Sequence, residues 1–291
     1  MSYKRCFIAL TMWMVIAAVA SAAPPLKALI IDGQNNHRWQ GTTPGLKSLL
    51  EETKLFKVDV VTTPPRGEDN SGFAPKFCDY DVLVMNYTGD SWPEKTNEAF
   101  EKYVSEGGGL VIFHAADNAF PKWPEFNEMI GLGGWGGRTE KDGPYVYWQD
   151  GKIVRDMTPG RGGTHGPQHA FQIIVREKDH PITKGLPEKF THSPDELYSK
   201  LRGPAKNMTV LATAFADPAK RGTGKHEPIL MTIDYGKGRV FHTVLGHADV
   251  QLKSVAFIAT YQRGTEWAAT GKVTQEVPKD FPGPDEPSVR E

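Results

Sequence analysis

Between residues 26 and 113 the chain alternates short apolar runs with stretches of helical periodicity, and that alternation leaves few folds open. Residues 26–31 are apolar apart from Lys27 and stop at Asp32-Gly33, a turn signal that opens a polar loop with Asn35, Asn36, His37 and Trp39. Thr42 or Thr43 can cap a helix with Pro44 in its first position, and Leu46, Leu49 and Leu50 follow at helical spacing. Residues 57–61 read as a second strand and 81–85 as a third. Residues 93–105 form a helix with Ala99, Phe100, Tyr103 and Val104 on one face, ended by Gly107-Gly108-Gly109, and residues 110–113 give a fourth strand. The predicted fold is therefore α/β: a flavodoxin-like, doubly wound, mostly parallel sheet. Its ligands bind beyond the carboxyl ends of the strands.

The ends of the chain read differently. Lys4 and Arg5 precede an apolar run from Cys6 to Ala20 and then Ala20-Ser21-Ala22, the pattern of a cleavable export signal over residues 1–22. The run is shorter than the ~20 residues of a membrane span, so a retained anchor is the weaker reading and the expected location is periplasmic or secreted. Removing Lys4 and Arg5 takes the formal charge from -1 to -3. With Lys plus Arg at 34 against 35 for Asp plus Glu, no basic excess exists for nucleic acid, and after signal cleavage no membrane partner is expected. Cys78 is then the one remaining thiol; Phe77 and Tyr80 beside it favour burial. Residues 23–272 are expected to form one domain and 273–291 a proline-rich, extended tail.

Residues 123–161 are rich in Gly and Trp, with a hairpin signal at Asp150-Gly151. Trp123, Trp135, Tyr145, Tyr147 and Trp148 could stack on sugar rings, or simply pack beneath a long insertion. Strands resume over 171–175, 210–214, 229–233 and 240–244, and residues 254–269 close the fold as a helix.

Three polar clusters fall after predicted strands: Asn35-Asn36-His37, Asn86-Tyr87-Thr88, and His114 with Asp117 and Asn118. A single histidine at a strand end is usually a hydrogen-bonded loop residue, but three such loops on one edge point to a site. Of nine histidines, His165 and His169 precede one strand, His192 lies near Asp195-Glu196, and His242 and His247 flank another strand end. His180 before Pro181 is most simply a structural corner. No glycine-rich dinucleotide or nucleotide loop and no Gly-x-Ser-x-Gly occurs, so no redox cofactor is expected. A divalent metal stays open, with His169, His192 and His247 as candidate ligands, although no His-Glu-x-x-His or paired-Cys spacing marks one.

Five separated segments, Asp32-Gly33-Gln34-Asn35-Asn36-His37, Gly108-Gly109-Leu110-Val111-Ile112-Phe113-His114-Ala115, Asp179-His180-Pro181-Ile182, Asp195-Glu196-Leu197-Tyr198 and Gly236-Lys237-Gly238-Arg239-Val240-Phe241-His242, together resemble the trehalose-utilisation ThuA-like family over about residues 26 to 270. The resemblance implies the class I glutamine amidotransferase-like version of the fold, here with loop and β-hairpin insertions. That wider fold carries a nucleophilic Cys at a sharp turn after a central strand, whereas residues 110–113 run into His114, which argues against glutamine hydrolysis. It also implies a small-molecule sugar partner: trehalose, related disaccharides or their 3-keto derivatives. A 3-keto group acidifies the neighbouring C2 hydrogen, so proton transfer suffices for elimination of the C1 substituent and hydration, a 3-keto-glycoside hydrolase or lyase reaction. On this reading Glu196 or His169 is the base and His114 the acid or enolate stabiliser; His37 and His247 orient hydroxyls, with Asn36, Asp117, Trp135 and His192 completing the sugar site. A non-catalytic sugar-binding module and a metal-assisted hydrolase are the alternatives.

Overall fold

A computed structural model of the protein describes residues 24–291, so the expected signal lies outside the described residues. The elements run β1 (Leu26–Asp32), α1 (Trp39–Glu52), β2 (Phe56–Thr62), β3 (Val82–Met85), α2 (Glu94–Ser105), β4 (Gly109–Phe113), α3 (Pro124–Ile130), β5 (Tyr145–Gln149), β6 (Lys152–Asp156), β7 (His169–Val175), β8 (Lys189–Asp195), β9 (Met208–Phe215), β10 (His226–Tyr235), β11 (Gly238–Thr243) and α4 (Val255–Thr270). Nine strands form one path, β2-β1-β3-β4-β11-β10-β9-β7-β8, with the β5–β6 hairpin attached to β10. The first five are mutually parallel and keep the flavodoxin-like order, with β11 as the fifth strand. From β11 onward the neighbours are antiparallel. β3 and β4 are buried along their whole length, as expected for strands covered on both faces.

The direction of β8 matters most for the site. Four successive antiparallel pairings, from β11 through β10, β9 and β7, return β8 to the direction of the parallel strands, so its carboxyl end opens on the same rim. β8 escaped the sequence reading because Lys189, Thr191, His192 and Pro194 break any apolar alternation. A Pro is tolerated there because β8 is the last strand of the path. Its outer edge is covered by the tail: Thr191 N donates to Gly283 O at 2.9 Å and Thr191 Oγ1 to Pro284 O at 2.6 Å. The tail is thus docked and shields a sheet edge that would otherwise invite pairing.

Other expectations need correction. α1 begins at Trp39, which leaves Pro44 inside the helix; the Thr42 and Thr43 hydroxyls, instead of capping it, each accept from Asn86 Nδ2 at 3.0 Å. The insertion over residues 123–161 holds α3 besides the hairpin expected at Asp150-Gly151, whose turn residues Asp150 (φ 51°) and Gly151 (φ 77°) are both left-handed. Cys78 is exposed, because Phe77 takes the buried place in that short 3-10 turn. The thiol precedes β3 and so lies at the opposite end of the sheet from the rim. His180 is the corner expected, its carbonyl accepting from Thr183 N and Lys184 N. No helix among the described residues is long and apolar enough to cross a membrane.

Candidate active site at the carboxyl rim of the sheet

The loop after β1 turns on Asn35, whose Oδ1 accepts from His37 N at 2.9 Å, and so carries His37 over the strand ends. β4 runs into His114, which takes φ 45°, a conformation that costs a non-glycine residue roughly 1–3 kcal/mol and is typical of functional turns. β8 delivers Asp195 and Glu196, and the loop after β11 delivers His247.

Asp195 is the clamp. Fully buried, it accepts from Glu196 N (2.8 Å), Gly246 N (2.8 Å) and His247 N (3.2 Å), and its Oδ2 lies 2.9 Å from His192 Nε2. His192 Nδ1 in turn meets Ser254 Oγ at 3.0 Å, just before α4. One carboxylate thereby ties β8 to the β11 loop. Gly246 is required at that junction: its φ is +103°, and a Cβ would stand 2.4 Å from the Phe113 ring. Burial opposes the charge on Asp195, yet His192, His114 and these N–H groups hold its carboxyl below the usual range.

Around Glu196 four imidazoles gather. His247 Nδ1, His37 Nε2 and His114 Nε2 lie 3.0, 3.8 and 3.8 Å from Glu196 Oε2, and His165 Nδ1 lies 3.6 Å from Oε1. Partial burial works against ionisation of Glu196, but the imidazoles of His247, His37 and His165 outweigh it and hold the carboxyl well below the usual range. Glu196 in turn raises His247. His114 is buried and drops to about 4, burial outweighing Asp195. Its Nδ1 is 2.6 Å from Val244 O, which assigns the proton to Nδ1, and its Nε2 accepts from Tyr198 Oη at 2.9 Å. Burial drives the Tyr198 phenol well above its ordinary value, so it keeps its proton. Beside the cluster lies a cavity of about 390 Å³, within the roughly 300–1,000 Å³ of small-molecule sites, whose walls include Asn36, Arg66, Asn118, Trp135, His165 and Tyr198.

The structure brings together His37, His114, Glu196 and His247, with Asn36 and Trp135 on the cavity wall. It does not bring in three others. The His169 ring turns back to its own loop, Nδ1 lying 2.8 Å from Pro167 O. Asp117 is fully buried, its Oδ2 3.8 Å from His242 Nε2, behind the rim rather than on the cavity wall. His192 is fully buried with both ring nitrogens engaged, as internal support and not as a sugar contact or metal ligand. Of the five aromatics of the insertion, Trp135 reaches this cavity; Trp148 lies under Arg176, Tyr147 under Lys225, and Trp123 against Phe126. Local sequence does not single out His165, Tyr198, Arg66 or the role of Asp195. Tyr198 stands two residues from Glu196 in one of the five segments, and that proximity was the available signal.

The trehalose-utilisation ThuA profile matches residues 27–268. The chain belongs to the ThuA family. A ThuA-like protein from Parabacteroides merdae of known crystal structure is 51% identical over 92% of this chain and 98% of its own, with a TM-score of 0.90. A second ThuA-like protein, from Bacteroides uniformis, is 21% identical over 88% of this chain and 96% of its own at a TM-score of 0.59, a likeness of fold. Comparison with curated proteins gives no match. ThuA membership makes a carbohydrate-related role plausible, and the amidotransferase-like α/β architecture agrees with the sheet described above.

Proposed function

We propose that this ThuA protein is a carbohydrate-processing enzyme acting on trehalose-like disaccharides or 3-keto-glycosides by elimination and hydration, giving net hydrolysis. The observation that carries the reading is the ring of imidazoles around Glu196 beside a cavity that offers amide, guanidinium and indole groups to a sugar. In the reaction the C2–H pair becomes the C1=C2 double bond as the C1–O bond breaks, the departing oxygen takes a proton, and water then adds back across C1 and C2.

Hydrogen bonding redistributes the roles expected from sequence. His169, outside the cluster, is not retained as base. His165 Nδ1 lies 2.8 Å from Gly166 O, which assigns its proton there and leaves Nε2 bare; His165 is the proton acceptor, with Glu196 aligning the cluster. His114 has no proton to offer the cavity, since its N–H is spent on Val244 O. The donor is the Tyr198 hydroxyl, which lies on the cavity wall and turns from His114 Nε2 to the departing oxygen when substrate is bound.

The test is conversion of 3-keto-trehalose and 3-keto-glucosides by purified protein. Turnover is expected, with His165→Ala and Glu196→Gln each losing at least 10²-fold, the lower bound for a positioned acid–base group. Saturable binding without turnover would make the protein a sugar-binding module instead, and full activity in both variants would discard the assignment.

A further inference from the structure

The cluster contains more nitrogen than proton transfer needs. His247 Nδ1 and Glu196 Oε2 stand 3.0 Å apart, yet they are not aligned as donor and acceptor, and that buried nitrogen has no hydrogen-bond partner. The rings of His37, His114 and His247 are close to perpendicular in pairs, at 77°, 90° and 88°, with centroids 4.6 to 5.6 Å apart. One ligand atom from each of these and from Glu196 lies within 4.8 Å of every other. Side chains that crowd together without bonding to one another are arranged around a point, not around a partner.

We infer that His37, His114, His247 and Glu196 bind one first-row transition-metal dication, such as Zn²⁺, Mn²⁺ or Co²⁺. Metal–nitrogen bonds of about 2.0–2.1 Å place tetrahedral donors about 3.4 Å apart, and the contacts to Glu196 Oε2, at 3.0, 3.8 and 3.8 Å, bracket that figure. Three imidazoles and one carboxylate select this class over Mg²⁺ or Ca²⁺, which take oxygen ligands. The supporting shell is also present. The His114 Nδ1–H on Val244 O presents Nε2 as the donor atom, and Asp195 fixes both Glu196 and His247 through their main-chain N–H groups. The cation would take the lone pair that now accepts from Tyr198, releasing that hydroxyl toward the cavity. It would supply positive charge beside the sugar oxygens.

The inference deepens the proposed function and is tested separately from it. Chelator-stripped protein is titrated with ZnCl₂, MnCl₂ and CoCl₂ by calorimetry, with bound metal counted by elemental analysis. One equivalent is expected for at least one ion, weakened at least ~100-fold in His37→Ala and in His247→Ala and unchanged in His169→Ala. Melting curves of the stripped variants show that they fold, and Glu196→Gln, nearly isosteric, serves should either alanine variant unfold. Absence of stoichiometric binding, or binding untouched by these changes, overturns the site. Turnover by protein that takes up no metal overturns the site while leaving the proposed function standing. Stoichiometric metal without turnover of any 3-keto sugar upholds the site and sinks the function.

Discussion

His192 and the histidines around Glu196 are linked through the adjacent Asp195 and Glu196, yet they behave in opposite ways. His192 is closed: one ring nitrogen faces Asp195, the other Ser254, and nothing is left for a ligand. His37, His165 and His247 are open, pressed around one carboxylate at the edge of a cavity, with His114 beneath them. The difference teaches that residue type does not separate support from chemistry. Hydrogen bonding separates His192 from His37 and His247, each of which keeps a buried ring nitrogen without a partner, a cost that a ligand can offset. Asp195 and Glu196, adjacent in sequence, divide the same way.

The strongest way to break the comparison is to open the closed set. Asp195→Asn removes the charge that faces His192 and disturbs the N–H contacts from residues 196, 246 and 247. Breaking a buried pair costs about 3–5 kcal/mol, so the melting temperature should fall by about 10 °C and activity should go with it. A shift below ~2 °C in thermal denaturation would show that Asp195 is no clamp. Changing the open set should do the reverse: Glu196→Gln is expected to lose at least 10²-fold in turnover, while its melting temperature stays within ~2 °C of the parent or rises. Loss of both together would place Glu196 with the closed set.

Smaller effects sharpen the contrast. Trp135→Ala removes the aromatic wall of the cavity and should raise KM about 3–10-fold, the worth of one stacking contact, with kcat less affected. An unchanged KM would remove Trp135 from substrate recognition. His180 supplies a closed histidine far from the rim. Its Nδ1 accepts from Ile182 N at 3.2 Å, its ring lies 4.9 Å from that of Trp267, and burial lowers it to about 4. The unfolded chain takes up this proton near pH 6.5, so stability rises with pH from about 4 to 6.5 and is flat above. His180→Gln should flatten part of that acid slope in pH-dependent melting, and an unaltered slope would refute the assignment.

Much of the framework was legible because it is written in local periodicity. The apolar runs at β1, β3 and β4, the glycines after α2 and the Asp150-Gly151 turn each announce themselves within a few residues. The site was half legible. His37, His114 and His247 follow strands visible as strands, so their meeting at one rim followed from parallel order. His165 and His169 look equivalent in sequence, because loop direction, not spacing, decides which ring faces Glu196. Cys78 shows the same limit: apolar neighbours in sequence did not bury it, because Phe77 had already filled the space below.

Sequence alone, then, determined the α/β class, the strand ends that carry histidine, and a histidine in place of any cysteine after β4, all of which depend on residues close together in the chain. Tertiary structure decided that β8, an edge strand with a proline, returns parallel to the central strands, bringing Glu196 among imidazoles from four other segments. No local pattern encodes that convergence, because it is the sum of four strand reversals and one buried carboxylate that holds the loops in place.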